Sequence, residues 1–181
     1  MNYKIKVIEN FLEKEDILNL NSINFSSAPT NGISTFHNEI DKFNKMKADK
    51  GANEIIKNFH LKYHDKVINI LKEINPEKVY LYDYSMISIV KTGKNFKFPI
   101  HDDTPEKLLS GVIYLSPNKN VGTNFYLTKT GNSKQTIEWK ENLGVFFSRK
   151  ERETWHSYEG NGNDERKVLV YNLATNRVKE A

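Results

Sequence analysis

From Val79 to the carboxyl end, short runs rich in β-branched and aromatic residues alternate with turn-forming residues, and few folds accept that pattern. The runs are VYLYDYSMISIV, LLSGVIYLS, TNFYLT, QTIEWK, LGVFFS and RKVLVYNLA, separated by Gly, Asn, Pro and charged residues. Each run has the composition and length of a strand, and each gap has turn chemistry. Six or more strands at this spacing predict a sandwich, a barrel or a jelly roll.

The preceding half reads differently. YKIKVI alternates polar and apolar residues and predicts a first strand. In ENFLEKEDILNLNSI, residues Phe11, Leu12, Ile17, Leu18 and Leu20 predict a short amphipathic helix. Residues 26–52 are rich in Ser, Asn, Lys and Gly, with Pro29 and Gly32, and are expected to form an extended connection serving as lid, binding loop or surface segment. NEIIKNFHLKYHDKVINILKEIN carries Ile55, Ile56, Phe59, Tyr63, Val67, Ile70, Leu71 and Ile74 at helical spacing, and Pro76 follows its end. His60 and His64 stand four apart on that helix. No third ligand is near in sequence, and Leu61 occupies the place of the glutamate in HEXXH, so both are expected to face solvent. The expected class is α+β in a single domain over 1–181, with helical support over 1–76 and an all-β body over about 79–175.

Composition removes several classes. A chain of 181 residues, 38% hydrophobic and 28% charged, can bury one core. The absence of cysteine removes disulfides, thiolate metal sites and cysteine nucleophiles. No apolar run has the length of a membrane span, and MNYKIKVIENF lacks the apolar stretch of a secretory signal, so a cytoplasmic protein without a membrane partner is expected. The net charge of +4 is spread over both halves without a basic arm. Nucleic acid is therefore not an expected partner. Lys91, Lys94 and Lys97 in VKTGKNFKF are expected to lie on a solvated loop.

The chemistry concentrates in FPIHDDTPEKLLSGVIYLSP. His101 and Asp103 end a strand-like run two residues apart, so in extended chain they project to one side while Asp102 projects to the other. A His-x-Asp triplet is weak evidence alone, because Asp103 before Thr104 and Pro105 also suits a turn. LGVFFSRKERETWHSYEG adds His156 after a strand and a charged turn, and Arg166 follows at the start of RKVLVYNL. Two imidazoles and one carboxylate, with coordination positions left open, form the facial triad of non-haem iron(II) oxygenases. Arg166 would meet a separate need, a planar two-pronged anchor for a dicarboxylate. Asn172, on the same strand as Arg166, is a weaker candidate.

The order His-x-Asp, LSGVIYLSP, GTNFY, GVFF, WHS and a basic residue near a strand start resembles the 2-oxoglutarate/Fe(II)-dependent oxygenase superfamily, and within it the prolyl-hydroxylase-like branch. The resemblance spans roughly residues 80–175, and VIENFLEKEDI is similar to the opening of many members. It implies a double-stranded β-helix (jelly-roll) core, Fe(II) held by His101, Asp103 and His156, and 2-oxoglutarate and O2 as cosubstrates. It further implies that Arg166 pairs with the distal carboxylate of 2-oxoglutarate and that Tyr114 hydrogen-bonds the same group, although Tyr114 fits a plain core position equally well. Lys167 is the rival anchor, since prolyl 4-hydroxylases often use lysine. Alternation lets only one of the two face inward, and the spacing from His156 favours Arg166. The implied reaction converts 2-oxoglutarate to succinate and CO2 while a C–H bond of a protein side chain, peptide or small molecule is hydroxylated. Two competing readings are a jelly-roll scaffold with a structural metal and a cupin-like enzyme that does not use 2-oxoglutarate. Arg166 argues against the latter, which needs no dicarboxylate anchor.

Overall fold

The strand Arg166–Ala174 sorts its side chains by parity, and that sorting sets the layers of the molecule. Leu169, Tyr171 and Leu173 point into a large core shared with the helices, whereas Val168 belongs to a second cluster with Tyr114, Phe125, Leu143, Val145 and Phe147. A strand apolar on both faces must be covered on both. Here helices cover one face and a second sheet covers the other.

The computed structural model describes residues 3–25 and 28–180. In chain order its strands are β1 (Ile5–Ile8), β2 (Ile33–Asp41), β3 (Met46–Lys50), β4 (Tyr84–Thr92), β5 (Lys97–His101), β6 (Lys107–Ser116), β7 (Thr123–Tyr126), β8 (Gln135–Ile137), β9 (Gly144–Phe147), β10 (Trp155–Glu159) and β11 (Arg166–Ala174). The helices are α1 (Lys14–Ser22) and α2 (Asn53–Ile74). A seven-stranded sheet has the order β1-β9-β6-β11-β4-β2-β3, and a four-stranded sheet has the order β5-β10-β7-β8. All their pairings are antiparallel. The fold class is thus the expected one, α+β with a jelly-roll core.

Both predicted helices form. α2 buries Ile56, Phe59, Tyr63, Val67, Ile70 and Leu71 against the large sheet. Full burial of such side chains contributes about 1.5–3 kcal/mol each. No helix among the described residues is long and apolar enough to cross a membrane.

Three expectations need correction. Much of segment 26–52 is not an extended connection but the antiparallel pair β2–β3, with β2 in nine-residue register against β4. Its composition conceals it, because inward positions include Asn38, fully buried with its Nδ2 donating to the Gly51 carbonyl at 3.1 Å. The helix-bearing half therefore supplies two strands, β2 and β3, to the large sheet beyond the expected β1. The run beginning at Val79 does not start as strand either: residues 76–81 form a 3₁₀ turn, and β4 begins at Tyr84. His60 does not face solvent. It is fully buried, with Nδ1 accepting from the Tyr171 hydroxyl at 2.7 Å and Nε2 donating to Asn44 Oδ1 at 3.1 Å. Asn44 lies in the β2–β3 turn, so a strand pair missed in the sequence gives this histidine its partner.

Candidate active site

The register of the small sheet places two predicted ligands face to face. His156 on β10 pairs directly with His101 on β5, so both imidazoles leave the same face of the sheet, their ring centroids 4.1 Å apart. β5 advances three residues, from Phe98 to His101, where β10 advances two, from Tyr158 to His156. The extra residue makes a bulge at Pro99 and Ile100, a place where a missing N–H costs little. The bulge also aims the Pro99 carbonyl at His101 Nδ1, 2.9 Å away. His156 repeats the device, its Nδ1 lying 2.9 Å from the Thr154 carbonyl. A carbonyl oxygen only accepts, so each Nδ1 carries the proton and each Nε2 keeps a lone pair free for a metal.

Asp103 completes the group just beyond the end of β5. One ligand atom from each of His101, Asp103 and His156 lies within 4.8 Å of the others. Asp103 Oδ2 is 4.0 Å from His156 Nε2. The carboxylate is 6% exposed and fixed from both sides, with Lys107 Nζ donating to Oδ1 at 2.6 Å and Ser110 Oγ to Oδ2 at 2.5 Å. Burial alone would raise its pKa. The charge of Lys107 and the hydrogen bonds from Lys107 and Ser110 outweigh that and hold the carboxyl below its usual range. Burial lowers the His156 pKa, acting in the opposite sense to Asp103's charge and prevailing over it, which favours the neutral imidazole. An anionic carboxylate with two neutral imidazoles is the donor set that suits a divalent transition metal.

Asp102 points away from this group, as its register predicts, but it is not idle. Its Oδ1 accepts from Thr154 Oγ1 at 2.6 Å and its Oδ2 from the Arg152 N–H at 2.9 Å. Arg149 Nη2 lies 3.5 Å from the same oxygen, while Arg149 Nε donates to the Asp103 carbonyl at 2.7 Å.

The triad opens into a cavity of about 200 Å3 between the sheets. Arg166 lines it and Lys167 does not. Lys167 leaves the opposite face of β11, where its ammonium donates to the Asn21 and Ile23 carbonyls at 2.8 and 3.0 Å. Arg166 is 5% exposed, its guanidinium 3.7 Å from the centroid of the Tyr158 ring and 5.4 Å from those of Tyr114 and Trp139. Burial lowers its pKa, and the facing tyrosines offset only part of that. No carboxylate among the described residues pairs with it, and its Nε has no acceptor. A buried cation that faces aromatic side chains and has no carboxylate partner among the described residues favours an anion. Tyr114 is fully buried, stacked on Trp139, and donates its hydroxyl to Thr123 Oγ1 at 2.8 Å. Its ring faces the guanidinium and its hydroxyl meets Thr123, which itself lines the cavity.

Sequence reasoning missed Tyr158, Lys107 and Ser110, all of which line the cavity. Tyr158 stands two residues after His156 on the same strand, and its hydroxyl is buried without a partner. Ser110 stands four residues before Tyr114, on the same face of β6. Strand parity was the signal for both.

No family model and no curated protein matches the sequence. Solved structures do match its fold. A prolyl-4-hydroxylase from Pseudomonas putida superposes with a TM-score of 0.65 at 14% identity, covering 96% of this chain and 94% of that one. An oxidoreductase of the 2OG-Fe(II) oxygenase family from Burkholderia pseudomallei gives 0.67 at 13% identity, with 94% and 84% covered. A viral collagen prolyl hydroxylase from Paramecium Bursaria Chlorella virus-1, solved with 2OG, gives 0.61 at 13% identity, with 96% and 97% covered. Over nearly its whole length, the chain has the fold of prolyl hydroxylases and 2OG-Fe(II) oxygenases.

Proposed function

We propose that this protein is a 2-oxoglutarate- and Fe(II)-dependent dioxygenase that hydroxylates a C–H bond, within a fold similar to that of prolyl hydroxylases. One observation carries the reading: three metal-type ligands converge in a cavity that also holds a buried guanidinium without an anionic partner. His101 and His156 would bind iron through Nε2, and Asp103 through a carboxylate oxygen. Iron bound there supplies the oxidative chemistry that couples decarboxylation of 2-oxoglutarate, with O2, to hydroxylation. The protein's own residues do the rest. The Pro99 and Thr154 carbonyls fix the imidazole tautomers, Lys107 and Ser110 keep Asp103 anionic and oriented, and Arg166 pairs with the distal carboxylate of 2-oxoglutarate. Tyr158, against Arg166, and Thr123, on the wall of the same cavity, would donate to the same carboxylate. The apolar walls, among them Val90, Phe147, Val168 and Val170, keep water from competing for these charges. A cupin-like metal enzyme without 2-oxoglutarate would leave the buried charge of Arg166 uncompensated.

The test is anaerobic titration of the purified protein with Fe(II) and then 2-oxoglutarate. Stoichiometric iron binding and a metal-to-ligand charge-transfer band on adding 2-oxoglutarate are expected, and His156→Ala should remove most of the iron binding. Equal iron affinity in His156→Ala would discard the ligand set, and a wild type without the band would discard the cosubstrate.

A further inference from the structure

The proposed function gives Lys107 only the orientation of Asp103, yet the geometry offers more. Lys107 opens β6 four residues after Asp103, and its side chain lines the same cavity. Asp103 Oδ1 is its one acceptor among the described residues, which leaves two of its three N–H donors unused. Its side chain is 21% exposed, so water reaches it only partly.

The charges in the cavity fix what that means. Its charged lining residues are Asp103, Lys107 and Arg166. On the proposed function, a divalent metal cancels a dianionic cosubstrate, and Arg166 cancels Asp103. Lys107 is paired with Asp103, but the cavity as a whole then carries one positive charge in surplus among walls such as Phe98, Val112 and Val170, which cannot solvate it. A shielded surplus of positive charge favours an anionic partner.

Asn172 points to the same place from β11. It shares its strand face with Arg166, Val168 and Val170, is 5% exposed, and its Oδ1 is buried without a donor. The register separates these polar groups into two ends. Leu173 and Ala174 on β11 pair with Leu109 and Lys107 on β6, so Asn172 lies beside the Lys107 end, whereas Arg166 begins β11 at the far end. One end thus presents a guanidinium, and the other presents an ammonium with spare donors and an amide oxygen lacking one.

We propose that the Lys107–Asn172 end binds the primary substrate, and that this substrate is a small carboxylic acid with an N–H or O–H close to the carboxylate, an amino or hydroxy acid. The carboxylate accepts from Lys107, and the N–H or O–H donates to Asn172 Oδ1. Lys107 lies 2.6 Å from a proposed iron ligand, so a substrate held there is beside the metal. The assignment rests on the oxygenase reading and deepens it.

The experiment uses the full chain with Fe(II), 2-oxoglutarate and O2, and measures succinate formed above the substrate-free rate. The probes are the free L-amino acids, the matching 2-hydroxy acids, and the carboxamides of both. At least one acid should stimulate turnover, with kcat/KM at least tenfold above its amide. Lys107→Met should collapse that acid-over-amide ratio at least tenfold, Lys107→Arg should retain part of it, and Asn172→Leu should raise KM for the acid. Because the ratio is taken within each variant, any effect of the substitution on the metal centre cancels. The 2-oxoglutarate charge-transfer band, recorded before any acid is added, separates the two layers. A wild type without the band defeats the oxygenase reading. With the band present, equal use of acid and amide, a ratio that survives Lys107→Met, or no stimulation by any acid overturns the substrate assignment alone.

Discussion

Asp102 and Thr154 tie together the two chain segments that carry the proposed metal ligands. The Asp102 carboxylate accepts from Thr154 Oγ1 at 2.6 Å, and the Thr154 carbonyl in turn orients His156 through Nδ1. Asp102 thus sits between His101 and Asp103 in sequence but acts on His156, the third proposed ligand, in space. Groups that orient ligands typically change metal affinity by about 10–100-fold when removed. Asp102→Asn, which loses the charge facing Arg149, should weaken Fe(II) binding about tenfold. Asp103→Asn, which removes an anionic ligand, should weaken it by more than about a hundredfold. Anaerobic Fe(II) titration of both variants checks the ranking, and equal losses would mean that Asp102 and Asp103 have been assigned the wrong faces.

Arg166 and Lys167 are neighbours in sequence on opposite faces of one strand, and their substitutions should separate cleanly. Hydrogen bonds to a charged group contribute about 1.5–3 kcal/mol, so Arg166→Ala should weaken 2-oxoglutarate binding about tenfold to a hundredfold while iron binding persists. Arg166→Lys should recover little, since an ammonium cannot make the two parallel bonds of a guanidinium. Lys167→Ala should leave 2-oxoglutarate affinity nearly unchanged but lower stability by about 1–3 kcal/mol, because it frees the Asn21 and Ile23 carbonyls at the end of α1. The charge-transfer band reads the first effect and urea unfolding reads the second. Loss of the band in Lys167→Ala with its retention in Arg166→Ala would move the anchor by one residue.

What the sequence made legible was what local periodicity encodes. The parity of β11 separates Arg166 from Lys167, the parity of the His-x-Asp run separates Asp103 from Asp102, and helical spacing locates α2. What it concealed was decided by long-range partners. β2 carries Asn38 at a fully buried position because a backbone carbonyl is there to accept from it, and no local pattern announces that partner. Lys107 reads as an ordinary strand-start charge until the fold sets it against Asp103. His60 and His64 share a helix four residues apart, yet the β2–β3 turn and Tyr171 bury the first and leave the second partly exposed.

That burial of His60 should make the protein's stability depend on pH in a specific window. Desolvation, with a smaller contribution from the nearby His64, pulls the His60 pKa from 6.5 down to about 4. In the unfolded chain the imidazole takes up its proton near pH 6.5, but in the folded protein only near pH 4. Between these values the unfolded state binds more protons, so stability falls as pH is lowered through this window and levels off below pH 4. At about 1.4 kcal/mol per pKa unit, the full loss is about 3 kcal/mol. His60→Gln keeps an amide to meet the Tyr171 hydroxyl and Asn44 but cannot titrate. It should be less stable than the wild type at pH 7, because its fit is poorer, and should show a much flatter stability profile between pH 6.5 and pH 4. Urea unfolding at half-unit pH steps gives both curves. If they run parallel through the window, His60 is not the group that links folding to protons there.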